Sequence, residues 1–440
     1  MEHKMSQLKS KLAEKIEAQR PRTRRLLKEH GDQVVGEVTI QQVIQGMRGI
    51  KGLVTDVSNL DPNEGIRFRG YTIPETLAAL PKAEGAEMPF TEGHIWLLLT
   101  GEIPTMAQVQ EVIALLEERR AIPTYVIDTL RAMPRDSHPM ALFSTAITVM
   151  QRDSAFAQAY LDGAKKADLW EYALEDMLTL MARLPSVAAY IYRMKYKGDT
   201  HIEPKAGLDM GANFAHMMGI DTPYDELMRM YFILHSDHES GNASAHAVHL
   251  VGSTLSDPFL SLAAGMHALA GPLHGLATQE VLRWLQGVSE EMGGKVPTED
   301  ELKTFVWDTL NSGQVIPGYG HAVLRLTDPR YSQQREFCLK HFPEDELFGL
   351  VSALYNVVPP ILEEQGKAKN PWPNVDAQSG VCQWHYGVQD YDFYTVMFGV
   401  GRAIGVLTNL VWDRALMYPL ERPKSVSTDW LEALVEKNSK

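Results

Sequence analysis

Apolar residues recur at the three- and four-residue spacing of a helix face along most of this 440-residue chain. No other feature constrains its fold so strongly. Leu8, Leu12 and Ile16 share one face of a basic N-terminal stretch. Thr105 and Gln108 form a capping-box signature ahead of Val109, Val112, Ile113 and Leu116. Leu174, Met177, Leu178, Met181 and Leu184 repeat the pattern as far as Pro185, which is expected to interrupt it. Thr298 and Glu301 signal another capped start before Leu302, Phe305 and Val306. Strand signals are few. Val34 to Ile40 is β-rich, and Asp61-Pro62-Asn63-Glu64-Gly65 reads as a turn, after which Ile66 and Phe68 alternate with Arg67 and Arg69. The expected fold class is all-α with one small N-terminal β hairpin.

The length exceeds one hydrophobic core of ordinary size, so two to four domains are expected. Stretches 287–297 and 364–373 are rich in charge, Gly and Pro and read as exposed loops. The segment between about 278 and 387 is a candidate subdomain. Forty-two Lys and Arg against 56 Asp and Glu give a formal net charge of −14, which argues against nucleic acid as a partner. Cys338 and Cys382 are the only cysteines, and their spacing fits neither a disulfide scaffold nor a structural zinc site, so a reducing compartment is expected. The uncharged stretch Pro258 to Gln279 carries Pro272, His267 and His274 and reads as a buried helix and a turn, not a membrane span. The first 28 residues have the basic, amphipathic look of a transit peptide. Glu2, Glu14 and Glu17 favour an amphipathic helix of the mature protein instead.

Seven of the fifteen histidines fall between His235 and His321. His235 and His238, like His246 and His249, are three apart, which on a helix puts a pair on one face. A metal site is one reading and a hydrogen-bonded buried layer the other; no glutamate follows at a zincin-like spacing. In Gly271-Pro272-Leu273-His274-Gly275, His274 is expected near a helix start, where the dipole disfavours imidazolium. A neutral histidine can donate a hydrogen bond to a developing enolate. Pro317-Gly318-Tyr319-Gly320-His321 is a glycine-bracketed loop without a Walker lysine, followed by Arg325 and Arg330. Asn370 to Asp376 is a stiff, proline-rich segment that ends in a carboxylate and suits a general base; a helix-capping Asp is the plainer reading. Gly399-Val400-Gly401-Arg402-Ala403-Ile404-Gly405, after the β-favouring Phe393 to Phe398, imitates a dinucleotide fingerprint with its third glycine one residue late. Close helix packing explains it better, with Arg402 free to clamp a carboxylate, as Arg422 also could.

Taken together and in order, His235 to His238, Ala270 to Gly275, Pro317 to His321, Asn370 to Asp376 and Glu421-Arg422-Pro423-Lys424 resemble the citrate synthase family, eukaryotic mitochondrial-like type. The resemblance runs from about Val34 to the end. It implies a two-domain, all-α citrate synthase-like fold, with residues 1–277 and 388–440 forming a large helical domain and 278–387 a small one. It also implies a homodimer with active sites between the domains and shared between subunits. The implied reaction is a Claisen condensation of acetyl-CoA with oxaloacetate, then hydrolysis of citryl-CoA to citrate and CoA. No metal and no tightly bound cofactor are implied; acetyl-CoA and CoA enter only as substrate and product. By resemblance Asp376 is the base, His274 the enolate donor and His321 the group that polarises the oxaloacetate carbonyl, helped by Arg330. His238, Arg402 and Arg422 resemble the oxaloacetate carboxylate ligands, Arg422 reaching across from the partner. The loop with Val315, Gly318, Tyr319 and Gly320 resembles the one that holds the CoA adenine. Arg48, Lys166, Arg325, Lys367 and Lys369 fall where the family places cations near the CoA phosphates. The implied location is the mitochondrial matrix for a processed eukaryotic chain and the cytoplasm for a bacterial one.

Departures keep alternatives open. His267 and Leu326 stand where the family pattern has Asn and Lys. Gln378 and Gln383-Trp384-His385-Tyr386-Gly387 resemble instead the 2-methylcitrate synthases, which use propionyl-CoA. One added methylene is worth only about 1–3 kcal/mol of discrimination. A metal-dependent hydrolase built on His235 to His249 is the distant alternative.

Overall fold

The computed structural model describes residues 6–321 and 323–438. Among them the helices are α1 (Gln7–His30), α2 (Ile40–Ile44), α3 (Ile73–Ala79), α4 (Thr91–Thr100), α5 (Met106–Glu117), α6 (Thr124–Ala132), α7 (Pro139–Val149), α8 (Ala155–Leu161), α9 (Leu169–Tyr196) and α10 (Met210–Met218). They continue as α11 (Tyr224–Leu234), α12 (Ala243–Ser253), α13 (Pro258–Leu269), α14 (Ala277–Glu291), α15 (Glu299–Asn311), α16 (Pro329–His341), α17 (Glu346–Gln365), α18 (Asp376–His385), α19 (Tyr394–Leu416) and α20 (Thr428–Asn438). One antiparallel sheet, in the order β1 (Ser58–Asp61), β2 (Gly65–Phe68), β3 (Tyr71–Thr72), pairs Ser58 with Phe68 and Leu60 with Ile66.

Local signals account for most of these elements. Leu8, Leu12 and Ile16 are the buried face of α1, and Ser6 caps it by accepting from the Lys9 N–H. Capping boxes start α5 at Thr105 and α15 at Thr298. The expected hairpin is present, with β3 as an additional short strand. Three expectations fail because tertiary context, not local preference, decides the element. Residues 33–39 form no strand: Val34, Val35 and Val38 are exposed and have no strand to pair with. Pro185 does not end α9, which runs through it for 28 residues with Leu184, Val187 and Ala188 fully buried. Phe393 to Phe398 is not β but enters α19.

Helix α19 is the spine of the core, packed on α9, α11, α12 and α13. Residues 391–416 are the one described segment long and apolar enough to cross a membrane, and 83% of the apolar window lies inside the protein. Its glycines allow this density. Gly399 meets Met266 and Phe143, Gly401 meets Phe232 and His235, and Gly405 lies against Ser236 and Asp237. The fingerprint-like run is therefore a packing face. A second group forms as α14 packs on α17 and α18, α15 on α17, and α16 on α18.

A β-carbon at Gly405 would come within 2.3 Å of the Asp237 β-carbon and 2.5 Å of the Ser236 carbonyl oxygen, whereas one at the exposed helical Gly287 meets nothing within 4 Å. Gly405→Ala should therefore destabilise by about 2–3 kcal/mol. Gly287→Ala should stabilise by about 0.5–1 kcal/mol through helix propensity. Urea unfolding of the two variants checks the opposite signs.

Candidate active site

Two segments distant in sequence form a bracket. The Gly320 N–H donates to the Trp372 carbonyl at 3.0 Å, Asn374 N–H to the Gly318 carbonyl at 2.9 Å, and Asp328 N–H to the Pro373 carbonyl at 3.2 Å. The Asn374 amide also donates to the Gly320 carbonyl at 3.0 Å. Gly318 has φ +80 and a β-carbon there would sit 2.9 Å from Ala377, so only glycine fits. The bracket joins His321 to Asp376, the first residue of α18. Asn374 Oδ1 accepts from the Asp376 N–H at 2.9 Å, and the Thr278 hydroxyl donates to Asp376 Oδ1 at 2.6 Å. Burial raises the Asp376 carboxyl above the usual carboxylate range, against the lowering pull of the Thr278 bond and Arg330.

Hydrogen bonds fix the tautomers of two histidines. Nδ1 of His321 accepts from the Val323 and Leu324 N–H groups, each at 3.0 Å, so its proton sits on Nε2. Burial and Arg330 keep the ring neutral. Nε2 of His274 lies 2.8 Å from the Ser244 hydroxyl and accepts from the Ser244 N–H at 3.2 Å; the backbone N–H can only donate, which puts the ring proton on Nδ1. Burial, with Arg402 adding to it, lowers the His274 pKa to about 4. α14 begins only at Ala277, so burial rather than the helix dipole holds this ring neutral. Each ring thus keeps one free N–H donor.

Cations line the same region. Arg330 is clamped by Asp328 at 2.7 Å, within a buried pair. Arg402 is buried with neutral partners, the His235 carbonyl at 3.3 Å and Asn242 Oδ1 at 3.1 Å, and its guanidinium lies over the Phe398 ring. Burial lowers its pKa to about 10. The His238 ring lies 5.8 Å from that of His321, and its Nε2 is buried without a partner. Burial, Arg330 and Arg402 hold His238 neutral.

The remaining candidates divide. Val315, Tyr319, Gly320 and Lys367 line one cavity of about 320 Å³, together with Gln314, Leu362 and Asn370. Lys369 is exposed beside it in sequence, and Arg325 is exposed with its guanidinium on the Val323 and Leu324 carbonyls. Arg48 lies on an exposed segment. Lys166 lines a different cavity, with Ser253, Arg414 and Leu420. Arg422 is exposed and makes no hydrogen bond or ion pair among the described residues. The structure therefore does not bring Lys166 or Arg422 to the other groups within one chain.

The histidine pairs do not converge. His235 caps the end of α11, so it and His238 share no helix face. His235 bonds the Tyr231 carbonyl, His246 pairs with Glu421 and His249 with Asp413. No group of three or more His, Cys, Asp or Glu that could hold a metal occurs among the described residues. Of the departures, His267 and Leu326 are exposed, whereas Gln378 is fully buried and donates to Cys338 Sγ, Gln383 accepts from the Tyr224 hydroxyl, and His385 stacks on Phe342. Cys338 and Cys382 are buried free thiols 3.2 Å apart.

Several supporting residues were missed. Asn242, which bonds Arg402 and caps α12, and Asn374 carry cap signals that were legible. Ser244 and Thr278 carry none, because their bonds to His274 and Asp376 come from residues distant in sequence.

A base, two neutral donors and two buried arginines suit condensation of an enolate with an anionic carbonyl compound. Comparison with known proteins agrees. A family model described as the C-terminal domain of citrate synthase matches residues 46–424. The chain is 57% identical to the probable mitochondrial citrate synthase of Glossina morsitans morsitans over 98% of this chain and 93% of that one. It is 55% identical to the mitochondrial citrate synthase of Daucus carota over 98% and 92%. Among solved structures, citrate synthase from Pyrobaculum aerophilum superimposes with a TM-score of 0.76 at 27% identity, covering 90% of this chain and 95% of that one. The ternary complex of Thermoplasma acidophilum citrate synthase with carboxymethyl coenzyme A and oxaloacetate shares the fold, with a TM-score of 0.74 at 22% identity over 89% and 97%. These matches define an all-α acyltransferase. The chain belongs to the citrate synthase family, which condenses acetyl-CoA with oxaloacetate to give citrate and CoA.

The His274 pKa of about 4 lies below its unfolded value near 6.5. Between those values the unfolded chain holds a proton that the folded chain lacks, so this group's stabilisation is complete above pH 6.5 and is lost as pH falls towards 4. An NMR titration of labelled histidine, with His274→Asn for assignment, should show this ring neutral at pH 5.5.

Proposed function

We propose that Asp376 removes a methyl proton of acetyl-CoA while the Nδ1–H of His274 stabilises the enolate oxygen, an interaction worth about 3–4 kcal/mol. The Nε2–H of His321 polarises the oxaloacetate carbonyl and donates to the alkoxide formed when the enolate carbon attacks it. His238, Arg330 and Arg402 hold oxaloacetate. Water then hydrolyses the citryl-CoA thioester. The tautomers of His274 and His321 carry this reading, because each leaves one neutral donor available. The cavity of Val315, Tyr319, Gly320 and Lys367 takes the adenine end of CoA, with Gly318 shaping the loop and Arg48, Arg325 and Lys369 as candidate phosphate contacts. No resident cofactor is required.

Residues 278–387 act as a small domain that closes on the rest, consistent with the mutual packing of α14 to α18. The working unit is a homodimer. Uncovered apolar surface supports it, with Val34, Val35, Ile44 and Trp430 more than half exposed and α20 burying no residue. Arg422 and Lys166, unused within one chain, serve the partner's site. The mitochondrial names of the relatives support the matrix as location.

Asp376→Asn should lower kcat at least 100-fold with oxaloacetate affinity near wild type. Thr278→Val, which removes a bond that lowers the Asp376 pKa, should move the acid limb of kcat/KM to higher pH by up to about one unit. Steady-state rates with acetyl-CoA and propionyl-CoA across pH test both and should favour acetyl-CoA.

Subunit exchange tests sharing. Asp376→Asn and Arg422→Ala are each inactive alone, but a mixed dimer has one site with both groups intact. Activity should reappear on mixing. Heterodimers that form without recovering citrate synthesis would place Arg422 outside the partner's site.

A further inference from the structure

The residue after His238 has a backbone conformation that L-residues rarely adopt. Glu239 has φ +58, in the left-handed region, and such strain persists only where surrounding structure imposes it. The imposing element is β1, the edge strand of the small sheet. Ser58 Oγ accepts from the Glu239 N–H at 2.9 Å and donates its own proton to Asp237 Oδ2 at 2.6 Å. The Leu60 N–H, which faces away from β2, donates to Glu239 Oε1 at 2.6 Å. An edge strand's free N–H is thus used on a carboxylate instead of a further strand. The residues on both sides of His238 are clasped, while His238 Nε2 itself stays buried and unpartnered beside Arg330, Arg402 and His321.

The hairpin also reaches the other side of the site. The Pro62 carbonyl at its turn accepts from the Arg325 N–H at 2.8 Å. Gly65 lies so close to Pro329, the first residue of α16, that a β-carbon would stand 2.4 Å from its ring.

We propose that Ser58 and Glu239 are positioning residues for oxaloacetate: β1 clasps the His238 turn in its strained form and so aims Nε2 at the substrate. This rests on the reading of His238 as an oxaloacetate ligand.

Calorimetric titration of the full-length protein with oxaloacetate, with kcat and Tm measured alongside, tests it. His238→Gln should weaken oxaloacetate binding about tenfold or more. Ser58→Ala and Glu239→Ala should each weaken it by about tenfold, the size of one hydrogen bond to a charged group, with kcat within twofold of wild type. Glu239→Gln keeps an acceptor for the Leu60 N–H and should bind within twofold of wild type. Glu239→Gly accepts φ +58 without strain but has no side chain; it should fold at least as well as Glu239→Ala and bind as weakly. The clasp is overturned if Ser58→Ala and Glu239→Ala bind normally while His238→Gln does not. It is equally overturned if Glu239→Gly restores binding, since relief of strain would then be the whole effect. Normal binding by His238→Gln would instead remove the ligand role on which the clasp rests.

Discussion

Arg402 is a guanidinium taken out of water with no carboxylate hydrogen-bonded to it, and the character of the site follows from that. Burial of an unpaired charge is costly, and here only neutral acceptors and the field of Asp237 offset it. Burial keeps His235, His238 and His274 in their neutral forms, with the positive field of Arg402 adding to it at all three and that of Arg330 at His235 and His238. Arg330 differs because Asp328 neutralises it directly. In the binding proposed above, a dicarboxylate supplies what the protein withholds, and the neutral rings act as donors to it rather than as competing cations.

The fold was legible where a local rule and the global packing agree. Capped, amphipathic α5 and α15 are of this kind, as is the turn between β1 and β2. It was illegible where packing wins. Pro185 costs α9 a backbone bond, yet the helix continues because its neighbours are buried on either side. The aromatic and β-branched run at the start of α19 looks like a strand until the glycine face behind it is seen to need a helix.

The site divides along the same line. Asp376, His321, Arg330 and Arg402 stood out as residue types in stiff or glycine-bracketed contexts. The causes of their behaviour did not. His274 is neutral through burial and a neighbouring arginine thirty and more helical turns away in sequence, not through the nearest helix end. The three-residue spacing of His235 and His238 suggested a shared helix face, but α11 ends at Leu234, ahead of both, and the second ring lies buried beside that of His321. Lys166 and Arg422 look like ligands by residue type and sit apart from the others in a single chain.

The pairing of 318–320 with 372–374 has a kinematic consequence. It ties the segments that carry His321 and Asp376 to one another through backbone and amide hydrogen bonds. His274 and His238 are carried elsewhere, on the connections after α13 and α11. With the roles proposed above, enolate formation needs Asp376 and His274, and carbonyl activation needs His321 together with His238 and Arg402. Each half-reaction therefore draws one partner from the bracket and one from outside it. With the domain closure proposed above, a single hinge coordinate would assemble both halves together, so that the nucleophile would not be generated in a geometry that leaves its electrophile unready.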